Sequence, residues 1–293
     1  MKVLITGASG FIGRSLVRRL SARHEVFVLA RSAVQTTQQP HSMITVDLAR
    51  PIDWRLLPER VDIIIHLAQA PVPLPESANE MFAVNTNSTQ HLLDYGRRSR
   101  ARRFVLASTG DVYGRLGSAK ETDAASPESF YAITKRAAEM LVESYSAYFE
   151  PCILRLFHPY GPGQVNRLIP RMADRIRQQQ PVQVHRNDRP HLTPIHIDDM
   201  TRALECVLTS SYCGILNIAG DRIVSIRDLA EMIGHVVGRR PVFKDTGEET
   251  FDLIGDNRLM KEILGDWPMI SLQEGLRRTL EVKEQEKECL ILG

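Results

Sequence analysis

The stretch that decides the fold lies at the amino terminus, where KVLIT at residues 2–6 runs into GASGFIG at residues 7–13. The first part is a short aliphatic run, and the second is a GxxGxxG loop that leads into an amphipathic segment. Glycines let a backbone turn tightly and approach a pyrophosphate, and the start of the following helix offers free N–H groups. A strand, a glycine loop and a helix in this order predict a dinucleotide-binding site. Its expected cofactor-binding residues are Gly7, Gly10, Phe11, Ile12 and Gly13.

The rest of the first 160 residues repeats this alternation of apolar runs and amphipathic segments. The apolar runs show little polar alternation, which is typical of strands buried on both faces of a sheet. The predicted strands are residues 2–6, 25–30, 43–46, 61–67, 103–108 and 152–157, and the predicted helices are residues 11–22, 78–98 and 129–149. Strands that alternate with helices predict an α/β fold, a Rossmann-type doubly wound parallel sheet.

The pattern loosens after residue 160, where a cluster of prolines and glycines forms a turn. Predicted helices follow at residues 168–179, 198–208 and 225–237, the last with Ser225 as its N-cap, and a strand is predicted at residues 214–219. We expect an NAD(P)-binding Rossmann domain over residues 1–160, to which residues 191–220 return. Residues 161–190 and 221–293 are expected to form a smaller C-terminal substrate-binding lobe.

Composition argues against several classes of protein. The 293 residues include 37 Lys and Arg against 35 Asp and Glu, and a net charge of +2 gives no electrostatic case for nucleic acid as the partner. No apolar run approaches the roughly 18 residues that span a bilayer, and the amino terminus enters the first strand directly, so we expect no membrane segment and no signal peptide. Four cysteines without metal-binding spacing predict no metal site and fit a reducing cytoplasm.

The end of the second predicted strand bears on the choice of cofactor. Proteins that bind NAD usually carry Asp or Glu there to hold the ribose hydroxyls, whereas this strand ends in Ala30 followed by Arg31. A guanidinium pairs bidentately with a phosphate, so Arg31 favours NADP, with NAD left open. After the third strand, Asp47 is expected to meet the adenine amine, with Leu48 beside it in the cofactor site.

Tyr131 and Lys135 lie four residues apart at the start of a predicted helix and therefore share one face. The charge of the lysine would lower the pKa of the phenol, and its ammonium could hold the nicotinamide ribose. Ser108 and Thr109 end a predicted parallel strand, where ligands bind in open α/β sheets. Together these residues predict an acid/base site at the edge of the sheet.

Several motifs follow one another in order along nearly the whole chain. They are the glycine loop at 7–13, HLA at 66–68 followed by Gln69, Asn85, ST-x-x-VYG at 108–114, Tyr131 with Lys135, YGPGQ at 160–164, HIDD at 196–199 and NIAG at 217–220. In these motifs the chain resembles the extended short-chain dehydrogenases/reductases of the NAD-dependent epimerase/dehydratase family, whose members mostly act on nucleotide sugars.

This resemblance implies roles for the motif residues. Thr109 would hydrogen-bond the reacting oxygen, Tyr131 would be the acid/base, and Lys135 would activate it. Hydride would move between the nicotinamide and a sugar carbon, while the protein supplies orientation and electrostatics. The expected cofactor contacts in these motifs are Leu67, Ala68, Asn85, Tyr131 and Lys135. Relatives of this kind are often dimers through the helix at residues 129–149, which suggests a homodimer.

The chain departs from the family pattern at the expected substrate site. Dehydratases of the family follow the Thr with Asp-Glu or Ser-Glu, whereas this chain has Gly110 and Asp111, which disfavours loss of water and leaves Asp111 to orient substrate or to cap the turn. His158 replaces an asparagine near the substrate's diphosphate, and Leu192 stands where the family has an arginine. The expected substrate-binding residues are Thr109, Asp111, His158, Asn166, Arg167 and Arg189.

Three functions are compatible with these residues. The first is a reductase in which NADPH delivers hydride to an NDP-4-keto-6-deoxyhexose and Tyr131 donates the proton. The alternative is a nucleotide-sugar epimerase, which oxidises and re-reduces one sugar carbon with tightly bound NAD(P). The third, a non-catalytic dinucleotide-sensing protein, is disfavoured because Thr109, Tyr131 and Lys135 are all present.

Overall fold

The computed structural model describes residues 1–31, 41–70 and 74–291, the last ten of them by their backbone alone. Within these residues the strands are β1 (Lys2–Thr6), β2 (Glu25–Ala30), β3 (Ser42–Thr45), β4 (Ile63–His66), β5 (Arg103–Thr109), β6 (Gly117–Ala119), β7 (Glu150–Leu156), β8 (Pro159–Tyr160), β9 (Val182–Val184), β10 (His191–Leu192), β11 (Ile195–His196), β12 (Gly214–Ile218), β13 (Val224–Ser225), β14 (Phe243–Asp245) and β15 (Leu253–Gly255). The helices are α1 (Phe11–Leu20), α2 (Ala78–Phe82), α3 (Ser88–Ser99), α4 (Phe130–Ser144), α5 (Leu168–Arg177), α6 (Ile197–Thr209), α7 (Ile226–Val237), α8 (Arg258–Leu264) and α9 (Leu272–Ile291). Across the same ranges, the helices are too short or too polar for any of them to cross a bilayer.

Seven strands form the central sheet, in the order β3-β2-β1-β4-β5-β7-β12. Every neighbouring pair is parallel. All residues of β4 and β5 are buried, because helices cover both faces of the sheet and leave no solvent side for polar alternation. The order of the first six strands is that of a Rossmann sheet, so the predicted fold class is confirmed.

Adjacent residues of β1 enter different cores because a strand directs alternate side chains to opposite faces. Val3 and Ile5 pack with residues of α1 and α6 on one face, whereas Leu4 packs with residues of α3 and α4 on the other. These two layers hold the carboxyl ends of the parallel strands at one edge of the sheet, where the predicted site residues lie.

The helix predicted over residues 78–98 is interrupted. A π-helical turn at Ala83–Asn87 joins α2 to α3, and Asn85 is buried within it. The side-chain oxygen of Asn85 accepts from the N–H of Ala70 (2.9 Å), and its nitrogen donates to Oγ1 of Thr134 (3.0 Å). The wider turn directs this polar side chain inward, which a regular helical period would not reveal.

Most other predicted elements of the first 160 residues are present with shifted ends, and α4 is an example. It begins after Ser129, whose Oγ accepts from the N–H of Ala132 (3.1 Å). It ends at Ser144 instead of residue 149, because the chain then folds back and the rings of Tyr145 and Phe149 stack with 6.0 Å between their centroids. Local caps and tertiary packing therefore set the boundaries that periodicity left open.

A third hydrophobic core lies outside the sheet and contains residues of α5, α7 and α9. Helix α7 starts after Ser225, which caps it as predicted by accepting from the N–H of Asp228 (3.0 Å). From the returning segment at 191–220, α6 and β12 pack instead in a core of the sheet. So do Met260 and Trp267, which the sequence-based division assigned to the smaller lobe. The division into two lobes stays a prediction.

Candidate active site

Two positions of the loop at residues 7–13 must be glycine, because a Cβ atom there would clash with other backbone atoms. Gly7 has a φ of +70°, and a Cβ on it would lie 2.6 Å from the backbone nitrogen of Ala68, just after β4. A Cβ on Gly13 would lie 2.1 Å from the carbonyl oxygen of Gly7. The loop is therefore folded tightly between β1, β4 and α1 at the carboxyl edge of the sheet.

The start of α1 has the features of an anion site. Gly10 is the N-cap and provides no side-chain hydrogen bond, and the first turn contains no acidic residue. The first N–H groups of a helix have no acceptor within it, and the positive end of the helix dipole favours negative charge. The N–H of Gly10 already donates to the carbonyl oxygen of Gly7 (3.0 Å), and a pyrophosphate beside Gly10 would satisfy the N–H groups of Phe11 and Ile12, so the residues present fit a dinucleotide.

A buried histidine ties the ends of β1 and β4 together. Oγ1 of Thr6 accepts from the N–H of Ala68 (3.1 Å) and lies 2.6 Å from Nδ1 of His66. On the other side of the ring, Nε2 lies 3.2 Å from Oγ of Ser88 on α3. Burial, followed by the charge of Lys135, lowers the pKa of His66 to about 3, so the ring is neutral. The network holds the backbone that follows β4 against the glycine loop.

The residues expected at the adenosine end of the cofactor lie beyond β2 and β3. Arg31 directly follows β2, and its Nη1 lies 3.6 Å from Oε1 of Glu80 on α2. Asp47 accepts a hydrogen bond from the N–H of Ala49 (3.0 Å) and so caps a turn, while Leu48 is buried. Contacts of these residues with ribose or adenine stay predictions.

Asn85 makes structural hydrogen bonds within the protein. It is fully buried, and its amide is bonded at both ends, to Ala70 and Thr134, as described above. These bonds hold the segment after β4 against α4, so Asn85 stabilises the backbone around the site through contacts within the protein. Its expected contact with the cofactor stays a prediction, as do those of Leu67 and Ala68.

Thr109 and Tyr131 lie near each other at the carboxyl end of β5. Oγ1 of Thr109 accepts from the N–H of Asp111 (3.2 Å) and donates to its Oδ2 (3.1 Å). The hydroxyl of Tyr131 donates to Oε1 of Gln69 (2.5 Å). Burial, followed by the charge of Asp111, raises the pKa of Tyr131 against the lowering effects of Arg167 and Thr109. The phenol is therefore protonated at neutral pH.

Lys135 lies one turn further along α4 and is almost completely buried. Burial lowers its pKa to about 8, against the raising effect of Glu139. Within the described part of the chain, its ammonium has no hydrogen-bond or ion-pair partner. Such an ammonium suits the hydroxyls of a ribose, which agrees with the dinucleotide fit of the glycine loop. Burial and Asp111 raise the pKa of Tyr131, and the expectation that Lys135 lowers it stays a prediction.

Three of the expected substrate-binding residues lie close to this centre. The charges of Asp111 and Arg167 act on the pKa of Tyr131 in opposite directions. His158 follows β7 with a φ of +45°, and its buried Nδ1 has no hydrogen-bond partner among the described residues. Burial lowers the pKa of His158, while the charge of Asp111 raises it. A neutral, unpartnered imidazole at this edge is suited to meet a polar group of a substrate.

Nothing in the structure connects the other two expected substrate-binding residues, Arg189 and Asn166, with Tyr131 among the described residues. Nε of Arg189 is 3.6 Å from Oδ2 of Asp252, so the guanidinium has an acidic partner on the protein. Asn166 is exposed on the turn before α5 and has a φ of +55°. Leu192, at the position where the resemblance to the family led us to expect an arginine, is buried in the third core. A role for Arg189 or Asn166 in binding substrate stays a prediction.

Two residues of the site had no role in the sequence analysis. Gln69 accepts the hydrogen bond of Tyr131, and nothing in the sequence signalled this contact. Glu139 is fully buried one turn beyond Lys135. The four-residue spacing of Tyr131, Lys135 and Glu139 could have revealed the latter, since side chains so spaced share a helix face. No group of three or more metal-binding side chains occurs in the described ranges.

A parallel Rossmann sheet, with a glycine loop and a Tyr–Lys pair beside the carboxyl ends of its strands, is the architecture of the extended short-chain dehydrogenases/reductases. The family model of the NAD dependent epimerase/dehydratase family matches residues 3–219. The chain belongs to this family, and it is an enzyme of that class.

Similar proteins match along nearly the whole chain. The chain is 29% identical to the uncharacterized UDP-glucose epimerase YtcB of Bacillus subtilis, over 94% of its own length and 96% of the relative's. It is 28% identical to dTDP-glucose 4,6-dehydratase of Streptomyces griseus, over 95% of its own length and 92% of the relative's. The solved structure of MoeE5 in complex with UDP-glucuronic acid and NAD is similar to it with a TM-score of 0.87 and 28% identity, covering 98% of this chain and 100% of that one.

Proposed function

We propose that this protein is a nucleotide-sugar oxidoreductase, and specifically that it reduces the keto group of an NDP-4-keto-6-deoxyhexose with NADPH. The observation that carries the proposal is the hydroxyl of Tyr131, which donates to Gln69 at the carboxyl edge of the sheet near the hydroxyl of Thr109. A phenol that carries its proton can give it to a ketone oxygen, which is the role that reduction of a ketone requires. Relatives named for the conversion of nucleotide sugars support the substrate class.

The residues at the carboxyl edge of the sheet would each have a separate role in this reaction. When bound, the reduced nicotinamide supplies the hydride. The N–H groups of the loop at residues 7–13 would hold the pyrophosphate, and Lys135 would hold the ribose. The carbonyl oxygen of the sugar would replace Gln69 as the acceptor of the Tyr131 hydrogen bond, with Thr109 as a second donor.

The proton balance follows from these positions. As the carbonyl carbon gains the hydride, its C=O π bond breaks and the oxygen takes the proton of Tyr131. The products are the sugar alcohol, the oxidised cofactor and a phenolate, which regains a proton from solvent. Loss of water from the sugar would need a further acid/base next to Thr109. The residues that follow Thr109 are Gly110, which has no side chain, and Asp111, whose carboxylate already accepts a hydrogen bond from Thr109. This segment therefore favours reduction over loss of water.

An epimerase with tightly bound NAD is the second candidate. It is favoured by the names of the relatives, among them a UDP-glucose epimerase and a structure with UDP-glucuronic acid and NAD. In that reaction Tyr131 would first accept the proton of a sugar hydroxyl while its carbon gives up a hydride to the oxidised cofactor. It would then return the proton to the same oxygen when the hydride goes back to the other face of the carbon. The homodimer and the cytoplasmic location expected from the sequence stay predictions.

Net consumption of the cofactor separates the two candidates. Purified protein would be mixed with NADPH or NADH and a panel of NDP-4-keto-6-deoxyhexoses, and separately with NAD⁺ or NADP⁺ and UDP-glucose or UDP-glucuronic acid. Absorbance of the reduced nicotinamide and the identity of the sugars would be followed together. We expect stoichiometric oxidation of NADPH with a keto-sugar. Conversion of a UDP-sugar without any net change in reduced nicotinamide would establish the epimerase instead, and no conversion of any sugar would refute both.

Arg31→Ala is expected to weaken NADPH binding about tenfold, because a charge-assisted hydrogen bond to phosphate contributes about 1.5 kcal/mol. Binding of NADH, which lacks the 2′-phosphate, should change little. Both affinities would be measured by fluorescence titration. Arg50→Ala is the matched control, because Arg50 is also exposed and lies near a carboxylate, 3.5 Å from Asp47. Equal losses for both cofactors would exclude Arg31 as the residue that selects NADP.

A further inference from the structure

Glu139 is a buried carboxylate that the proposed reaction does not use. It lies on α4 four residues after Lys135, and it is fully buried. Since Tyr131, Lys135 and Glu139 recur every four residues, all three lie along one face of the helix. Burial of a carboxylate is unfavourable unless charges and hydrogen bonds compensate it, so the partners of Glu139 indicate what it does.

The carboxylate of Glu139 accepts hydrogen bonds from three side chains, which lie on α4 and on two strands of the sheet. Arg155 on β7 donates from Nε to Oε1 (3.1 Å) and from Nη2 to Oε2 (2.7 Å), in a bidentate pair without solvent contact. Arg136, nearer the surface, donates to Oε2 (3.0 Å). The hydroxyl of Ser108 on β5 donates to Oε1. One side chain of α4 is thereby bonded to two neighbouring strands of the sheet.

These bonds reach the residue that would hold the reacting oxygen. Ser108 directly precedes Thr109, and it is the register partner of Arg155 across β5 and β7. The guanidinium of Arg155 lies 4.4 Å from the ring centre of Tyr113, whose hydroxyl donates to Oδ1 of Asn217 (2.8 Å). The end of β5 is therefore held through Glu139 on one side and through the buried ring on the other.

The charge of Glu139 also acts on Lys135. Burial lowers the pKa of Lys135, and the negative charge of Glu139 opposes that change. The other ionisable groups around this pair are Tyr131 one turn before Lys135, the neutral His66 on β4, and the guanidiniums of Arg136 and Arg155, which are both bonded to the Glu139 carboxylate. Glu139 is thus the negative charge that favours the ammonium form of Lys135 in a buried position.

We propose that Glu139 is a positioning residue of the hydride-transfer site, which fixes Lys135 and Thr109 relative to each other and keeps Lys135 charged. This inference rests on the role that the proposed function gives to Lys135 in holding the cofactor ribose. It assigns a task to a buried ion pair that would otherwise contribute only to the fold.

The test is the titration of Lys135 in Glu139→Gln. Carbon NMR of the lysine Cε would follow the titration without cofactor, with Lys135→Arg used to assign the signal. Without the charge of Glu139, we expect the midpoint to fall by about one pH unit from about 8. The charged fraction at pH 8 would then fall about fivefold. NAD(P)H affinity should fall in proportion at pH 8 and stay near that of the unsubstituted protein at pH 6.

Two further variants separate charge from packing. Glu143→Gln is the matched control, because Glu143 also accepts from Arg136 (3.0 Å) on the same helix but is partly exposed. It should leave the midpoint of Lys135 unchanged. Ser108→Ala keeps every charge and removes only the bond to β5, so it should lower kcat with unchanged KM and an unchanged Lys135 midpoint.

An unchanged Lys135 midpoint in Glu139→Gln, with equal losses of affinity at pH 6 and pH 8, would overturn the proposal and leave Glu139 a purely structural residue. If Glu139→Gln does not fold because Arg155 loses its carboxylate, the double variant Glu139→Gln/Arg155→Met replaces the buried pair, and the midpoint should fall by less than in Glu139→Gln because a positive charge is removed as well. An unchanged midpoint there would overturn the proposal as well. Because the NMR titration needs no sugar, its result stands apart from a failure of the proposed reductase activity.

Discussion

Tyr131→Phe is expected to lower turnover about 10³-fold, because the variant keeps the ring but loses the proton that the reacting oxygen needs. Affinity for NAD(P)H should change little, since the loop at residues 7–13 and Lys135 would carry that binding. The melting temperature should also be retained, because the hydroxyl contributes one hydrogen bond, to Gln69, at the edge of the sheet. Turnover and cofactor affinity would be measured on the same preparation.

The control for this substitution is Tyr148→Phe, which removes an equivalent hydroxyl from an exposed ring after α4. It should leave turnover unchanged. Should Tyr131→Phe keep more than about a tenth of the turnover, the role of Tyr131 as the proton donor would be refuted, since a general acid contributes at least about 10²-fold. The outcome is the same for the reductase and the epimerase, because both need the phenol.

Gly13→Ala is expected to destabilise the protein by about 3 kcal/mol, because overpacking against an unyielding backbone costs about that much. Its Cβ would lie 2.1 Å from the carbonyl oxygen of Gly7, and 2.7 Å from Cα of Ala8. Neither atom is the end of a flexible side chain, so α1 would have to move away from β1. Chemical denaturation would measure the loss, and NAD(P)H binding should be lost with it.

Gly10→Ala is the matched variant within the same loop. Among the residues that the structure describes, its Cβ would meet only the carbonyl oxygen of Gly7, at 3.1 Å, and the φ of −75° suits any residue. We therefore expect nearly unchanged stability but weaker NAD(P)H binding, because the methyl group would stand where the pyrophosphate approaches the helix start. Unchanged affinity in Gly10→Ala would contradict the assignment of the loop as the phosphate site.

The fold class could be predicted from the sequence because its signals are local. The buried strands have unbroken apolar runs, and the glycine loop falls directly between a strand and a helix. The interruption of the helix over residues 78–98 could not be predicted. It is stabilised by bonds of Asn85 to Ala70 and Thr134, and Thr134 lies 49 positions away along the chain.

The sequence by itself determined the sheet, the place of the glycine loop, and the shared helix face of Tyr131 and Lys135, since each depends on neighbours within a few residues. Only the tertiary structure decided the protonation of these groups. The pKa of Tyr131 is raised by burial and by Asp111, and Gln69, its hydrogen-bond partner, is 62 positions away. Likewise, Glu139 acquires its partners from β5 and β7 only when the sheet and α4 are packed. Burial and the charge around a group depend on the folded chain, and no local pattern encodes them.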